Sequence, residues 1–345
     1  MLSRVANSLY WLSRYIERAE NIARIVDVNL QLLLDIRDLN EKRLVEYWLP
    51  IVQTTGDEQA FFKLHPQATG KAVTEFLIFQ QENPNSLVSS ICLARENARM
   101  VRDQITVEFW EELNRLYWFV KTPEARRVWK ESPSEFFQQI KSGSMQLIGL
   151  GYSTLIRNEG WWFSEAGKFI ERADKTSRML DVRHQTLTAT TATAIVSQIE
   201  ALDWAAILHS CSAWDAYKAH YGVEVTPRQT VEFLLLNEDF PRSVRFSVGK
   251  LNDAMRRISG CAEGRFCNTA EKLAGRLLAE LQFSTVDEIF DQSLHHYLDQ
   301  FQTKLNQIGN ALFDAYIYQA FENPGSEHMV QQEEQQQQSG GHPIL

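Results

Sequence analysis

Arg14-Tyr15-Ile16-Glu17-Arg18-Ala19-Glu20, near the start of the chain, returns as Lys168-Phe169-Ile170-Glu171-Arg172-Ala173-Asp174. The wider set Glu17, Glu20, Arg24, Asp27 and Gln31 reappears as Glu171, Asp174, Arg178, Asp181 and Gln185 at one offset, 171 − 17 = 154. Within each copy the steps are 3, 4, 3 and 4, which place all five polar side chains along one face of a helix. Leu12, Ile16, Ala19, Ala23, Val26 and Leu30 form an apolar stripe beside it, and Trp11, Tyr15, Ile22, Ile25 and Leu32 widen that stripe around much of the circumference. Such a helix is buried on most sides. What repeats is therefore a charged strip on a core helix, not a core pattern alone.

Working outward, helical periodicity dominates, and Gly and Pro sit where helices should end. The spacing predicts helices over 3–36, 41–62, ended near Gly56 or His65-Pro66, and 71–80, stopped by Glu82-Asn83-Pro84. Asn85 or Ser86 can cap a long helix to about Phe119, and Ser134 one through Ile156. Helices over 271–281 and 286–321 close the folded part. Trp204-Ala205-Ala206-Ile207 aligns with Trp48-Leu49-Pro50-Ile51 at an offset of 156, and Phe233-Leu234-Leu235-Leu236 with Phe76-Leu77-Ile78-Phe79 at 157. Offsets drifting so little across successive helices indicate duplicated units. No strand alternation or hairpin signal appears. The expected fold is all-α: an internally duplicated long-helix bundle with two similar halves, about 1–160 and 161–320, packed together. The Gln-rich tail over 323–345 is too polar to bury anything and is expected to be disordered.

With 345 residues, 44% of them hydrophobic, the chain can bury a substantial core. A formal charge of −9 argues against a nucleic-acid partner, which needs a concentrated basic face. No signal peptide is indicated, and no segment approaches the roughly 20 apolar residues that span a bilayer. Cys92, Cys211, Cys261 and Cys267 form no CxxC pair, which fits thiols in a reducing compartment better than disulfides or zinc. The expected location is the cytoplasm.

The two strips place six carboxylates, Glu17, Glu20 and Asp27 with Glu171, Asp174 and Asp181, on helices that otherwise look buried. Arg24 and Arg178, four residues after Glu20 and Asp174, can neutralise part of that charge. Arg95, Arg99 and Arg102 line one face of a later helix, with Glu96 and Asp103 beside them, and are expected to oppose the Glu17 face. Such a seam can serve simply to fix helix register. Against that, Arg95 and Arg102 map at 157 to Asn252 and Ser259, so the first half keeps positive charge that a symmetric scaffold would not need. A phosphate or carboxylate could use it.

Other chemistries are weaker. A di-metal carboxylate bundle needs Glu-x-x-His motifs, and only Asp181-Val182-Arg183-His184 comes near one, so no metal or cofactor is expected. Cys261 and Cys267 read as idle thiols in a Gly-containing loop, and His295-His296 as a solvated pair. No Gly-rich loop after a strand exists to cradle a nucleotide. Adjacent Trp161 and Trp162 cannot both face one core.

Leu2-Ser3-Arg4-Val5-Ala6-Asn7-Ser8-Leu9-Tyr10-Trp11, the following Arg14 to Asn21 with Ala23-Arg24, then Asn83-Pro84-Asn85-Ser86 and Ala94-Arg95-Glu96-Asn97-Ala98-Arg99 with Val101-Arg102, are similar to the signatures of the bacterial alpha-E domain family. The resemblance covers about 1–320. It implies an all-helical protein of unassigned activity, encoded beside circularly permuted ATP-grasp and transglutaminase-like proteins. Matching positions are Arg14, Glu17, Arg18, Glu20, Asn21, Arg24, Arg95, Glu96, Arg99 and Arg102.

The expectation is thus an accessory interaction or substrate-positioning protein in an ATP-grasp-associated peptide or amide ligation system. The alternatives are an enzyme in which Glu17 or Glu171 acts as base on a peptide or amino-acid derivative, and a purely structural scaffold.

Overall fold

A computed structural model describes residues 1–35, 41–188, 194–262 and 264–317; the Gln-rich tail and the side chains of Arg183, His184 and Gln185 lie outside what is described. All regular structure among the described residues is helical. The first part comprises α1 (Ser3–Asp35), α2 (Glu41–Thr55), α3 (Glu58–Leu64), α4 (Gly70–Thr74), which runs into a π-helical turn (Glu75–Phe79), α5 (Leu87–Met100), α6 (Val107–Lys121), α7 (Pro123–Glu131) and α8 (Pro133–Thr154). There follow α9 (Glu159–Thr188), α10 (Ala194–Ser210), α11 (Trp214–Tyr221), α12 (Pro227–Leu236) and α13 (Val244–Ser259). The last three are α14 (Thr269–Phe283), α15 (Val286–Asp291) and α16 (Leu294–Tyr316).

α1 and α9 form the central pair, because each is apolar around most of its girth and needs neighbours on several sides. In α1, Leu12, Ile16, Ala19, Ala23 and Val26 are all buried, as the stripe requires. α5 and α8 pack on α1, and α13 and α16 pack on α9. α2 leans mainly on α9, whereas α10 leans mainly on α1, so the chain crosses over between the two central helices. At the crossing Gly167 meets α1 so closely that a Cβ there would lie 2.1 Å from the Tyr10 carbonyl oxygen. Only a residue without a side chain allows that approach.

Local chemistry moves several boundaries. Of the two ends expected for the second helix, Gly56 is the one used: its φ of +79° is left-handed and ends α2. Ser86, rather than Asn85, caps α5 by accepting the Ser89 N–H. The long helix expected to reach Phe119 stops at Met100 and restarts at Val107, because the Thr106 hydroxyl accepts the Phe109 N–H and so starts a new helix. Ser132, not Ser134, caps α8, with Pro133 in the first helical position. The stretch over 286–321 divides at Ser293, where φ is +77°.

The cysteine expectation also changes. The turn between α13 and α14 brings Cys261 and Cys267 to a Cα separation of 5.8 Å and joins them as a disulfide; Cys92 and Cys211 are free. Spacing alone missed this because the pair is closed by a local turn that carries no motif. No helix among the described residues is long and apolar enough to cross a membrane.

Candidate functional site

Neighbouring positions on a helix point about 100° apart, so Glu17 and Arg18 are poorly placed to pair with each other, as are Glu171 and Arg172. They pair crosswise instead. Arg18 on α1 grips Glu171 on α9 through Nε to Oε1 at 2.7 Å and Nη2 to Oε2 at 2.9 Å. Arg172 on α9 grips Glu17 on α1 through the same two atoms, both at 2.8 Å. These are forked, charge-assisted bonds between groups withdrawn from water, the strongest form such contacts take. Both carboxylates are almost wholly buried.

Each pair recruits further partners. Arg14 donates from Nε to Glu171 Oε2 at 2.8 Å. Arg242, from the turn before α13, donates to Glu17 at 3.1 Å, to Glu20 at 2.6 Å and to the side-chain oxygen of Asn21 at 3.2 Å. The remaining Arg18 nitrogen, Nη1, donates to Asn85 Oδ1 at 2.6 Å, and that of Arg172 to the Pro241 carbonyl at 3.1 Å. The turns that precede α5 and α13 are thereby tied to the central pair. Burial alone pushes the Glu17 carboxyl up, but Arg172 and then Arg242 outweigh it and hold the group down at about 2. Glu171 is held well below the ordinary carboxylate range against the same opposing effect of burial, chiefly by Arg18 and Arg14. Both are fixed anions at neutral pH.

The rest of the strip is also engaged. Arg24 bonds Glu20 at 2.8 Å and Arg178 bonds Asp174 at 2.9 Å, each four residues on, as the spacing predicts. Asp27 accepts from Lys141 on α8 at 2.7 Å, and Asp181 pairs with His295 on α16 at 2.6 Å. His295 is thereby tied to the strip, while it and His296 are both exposed, as expected of a solvated pair. His296 instead contacts Gln300.

The expected meeting of Arg95, Arg99 and Arg102 with the Glu17 face does not occur. α5 turns Leu87, Ile91, Ala94 and Ala98 inward, which leaves the arginines, one position further round, to face α6 and solvent. Arg95 bonds Asn114 at 2.8 Å and lies over the Tyr117 ring, Arg102 lies over Trp110, and Arg99 bonds Glu96 while staying 63% exposed. The arginines that complete the seam are Arg18, Arg172 and Arg242. Arg242 was hidden because it belongs to no periodic run, although it stands at offset 157 from Asn85, between the aligned pairs Pro84 with Pro241 and Ser86 with Ser243.

Beside Glu17 lies a cavity of about 50 Å³ between α1, α8 and α9. That is room for a few water molecules and not for a peptide. Its polar corner is a set that spacing did not flag. Lys168 donates to Glu165 and to the Tyr152 hydroxyl, and Tyr152 donates to Glu165 at 2.8 Å. Burial pushes the Lys168 ammonium down despite Glu165 beside it. Among the described residues, Cys261, Cys267 and Glu271 are the group whose potential ligand atoms lie within 4.8 Å of one another, but the two sulfurs are bonded to each other.

Residues 1–317 match the family model Alpha-E, described as "a predicted alpha-helical domain with a conserved ER motif". The Glu-Arg dipeptide occurs in this chain only at 17–18 and 171–172. An uncharacterized protein of Mycobacterium bovis (strain ATCC BAA-935 / AF2122/97) is 23% identical over 308 residues, and one of Mycobacterium tuberculosis (strain ATCC 25618 / H37Rv) is 22% identical over 308 residues. In each case the match covers 84% of this chain and 33% of the relative, so the chain spans about a third of the length of the curated relatives it matches. No solved structure matches.

Proposed function

The chain belongs to the Alpha-E family, and from that premise we propose that it is an accessory interaction and substrate-positioning protein in a peptide or amide ligation system, working beside an ATP-grasp-type ligase or a transglutaminase-like protein. One observation carries this reading over the catalytic alternative. Glu17 and Glu171, the two carboxylates suited to act as bases, each have both oxygens taken by a guanidinium. A base must be free to accept a proton near neutral pH, and a carboxylate held at about 2 has no driving force to do so. The cavity beside Glu17 also has no space for a substrate. The ER dipeptides instead set the angle and register of two core helices, which is how a rigid platform is made.

The length relationship supports the same reading. In the mycobacterial relatives the matched segment shares its chain with about twice as much other sequence, an arrangement suited to a module that serves a neighbouring one. Affinity purification of the tagged chain from cells that also express an ATP-grasp ligase and a transglutaminase-like protein tests the proposal. Recovery of one of them at near-stoichiometric yield is expected. Clean recovery of the chain alone would overturn it in favour of a stand-alone scaffold.

A further inference from the structure

The crossed ion pairs have two flanks, and the flanks differ. On the α8 side is the cavity of about 50 Å³; on the α16 side a cleft of about 480 Å³ opens between α1, α9 and α16. Their linings correspond at the offset of 154. Lys168, Tyr152 and Leu155 stand in the cavity where Arg14, Asn306 and Gly309 stand in the cleft, and Ile16 stands where Ile170 does. Tyr152, bonded to Lys168 and Glu165, and Leu155 fill their side. Asn306 and the bare backbone of Gly309 leave the other side empty. The cleft is open to solvent, with Asn306, Asn310 and Asp314 exposed along it. The open volume falls in the range of small-ligand sites.

Charge narrows the ligand. Arg14, Arg18, Lys175 and Arg178 stand against three carboxylates, Glu171 and Asp174 beneath the cleft and Asp314 in its lining, which leaves one positive charge in excess. Arg14 and Arg178 line the cleft itself. Arg178 holds Asp174 through Nε alone, at 2.9 and 3.0 Å, and its two Nη groups make no hydrogen bond among the described residues. A guanidinium with both Nη groups unspent is a fork for a carboxylate. Asp174 and the exposed Asp314 also line the site and oppose a more highly charged anion such as phosphate. The amides of Asn306 and Asn310 can donate to and accept from a peptide bond, and Trp11, stacked 4.7 Å from the Arg14 guanidinium, offers apolar surface.

We propose that the cleft between α1, α9 and α16 binds the free carboxylate end of a peptide, with Arg178 on the carboxylate and Asn306 and Asn310 on the adjoining amide. This deepens the positioning reading and rests on it for the purpose of the bound peptide. The binding test requires no partner protein, so its failure would leave the co-purification test standing.

Isothermal titration of the full chain with tri-alanine, with tri-alanine amide and with inorganic phosphate decides the matter. Tri-alanine should bind, and its amide about tenfold or more weaker, because the charged bond is lost. Phosphate should not compete. Gly309→Leu, which restores the bulk seen at Leu155, should abolish binding without lowering the melting temperature. A Cβ at Gly309 meets only Ile170 Cδ1 at an ordinary 3.5 Å, so the variant can fold. Arg178→Gln should weaken tri-alanine but not the amide. No binding of tri-alanine, equal binding of acid and amide, competition by phosphate, or binding that survives Gly309→Leu would each overturn the proposal.

Discussion

Arg18 and Glu171, 153 residues apart in sequence, face each other across the α1–α9 crossing in a forked ion pair, and both are almost wholly buried. The adjacent residues on each helix, Glu17 and Arg172, make the same pair in the opposite sense. Each helix therefore supplies one acid and one base to the other. A slide or rotation of one helix past its partner would break both bonds together, which makes the register of α1 against α9 an all-or-none property.

Removing one member of such a pair strands the other away from water. Glu171→Gln leaves Arg14 and Arg18 without their anion and should destabilise the fold by about 3–5 kcal/mol, the usual cost of breaking a buried ion pair. Arg18→Lys keeps the charge but loses the fork and the bond to Asn85, so it should cost less than Glu171→Gln but remain measurable. Urea unfolding of the three proteins checks the order. Equal stability of the parent chain and Glu171→Gln would show that the pair does not hold the helices.

Acid should unfold the protein through the same groups. Glu17, ordinarily near 4.5, is held at about 2 in the fold, and Glu171 and Asp174 are also held low. Between those values the unfolded chain binds more protons than the folded one, so stability falls as pH falls. The contribution is complete above about pH 4.5 and is lost progressively down towards pH 2. Chemical denaturation at pH 7, 4.5 and 3 should show a steep loss over the last interval. Glu17→Gln should be less stable at pH 7 but flatter with pH.

The sequence discloses these helices and hides their partners, for reasons that particular residues make clear. The 3.6-residue stripe of α1 and the 154-residue recurrence of its charged strip are local properties, so both long helices and their burial could be read directly. Which arginine meets which carboxylate is a matter of helix orientation. Arg95, Arg99 and Arg102 had the right spacing to face Glu17, but the apolar face of α5 lies one position away and turns them outward. Arg242 sits in a turn and obeys no period. A usable signal did exist in the dipeptide itself: Glu17 and Arg18 point in different directions, which favours partners elsewhere. Lys141 and His295 offered another, since they are 154 residues apart and meet Asp27 and Asp181, which are also 154 apart.

The cysteine assignment is open to direct measurement. Cys261 and Cys267 close a short loop, which in the chain-entropy view stabilises by about 2 kcal/mol. Denatured but unreduced protein should take up alkylating reagent at Cys92 and Cys211 only, and reduction should raise the count from two to four by mass spectrometry. Cys261→Ser should lower stability by no more than that amount. Four labelled thiols without reductant would show that the pair is not bonded in the purified protein.

Gly167 gives the sharpest steric test of the crossing. A Cβ there would approach the Tyr10 carbonyl oxygen to 2.1 Å, and the obstacle is backbone, which cannot rotate away as a side chain can. Gly167→Ala must push α9 off α1, and because Glu171 lies one turn further along the same helix, the displacement also lengthens its bonds to Arg14 and Arg18. Overpacking of this kind costs about 1–3 kcal/mol, and the loss of ion-pair geometry adds to it. The intrinsic helix preference of Ala over Gly, about 1 kcal/mol, works in the opposite direction and is smaller than the sum. Ser13, the residue 154 positions earlier, already carries a Cβ, so Ser13→Ala provides the matched control and should change stability by about 0.5 kcal/mol or less. If Gly167→Ala unfolds in urea at the same concentration as the parent chain, the two helices do not touch at Tyr10, and the distance across which Arg18 reaches Glu171 must be set by something else.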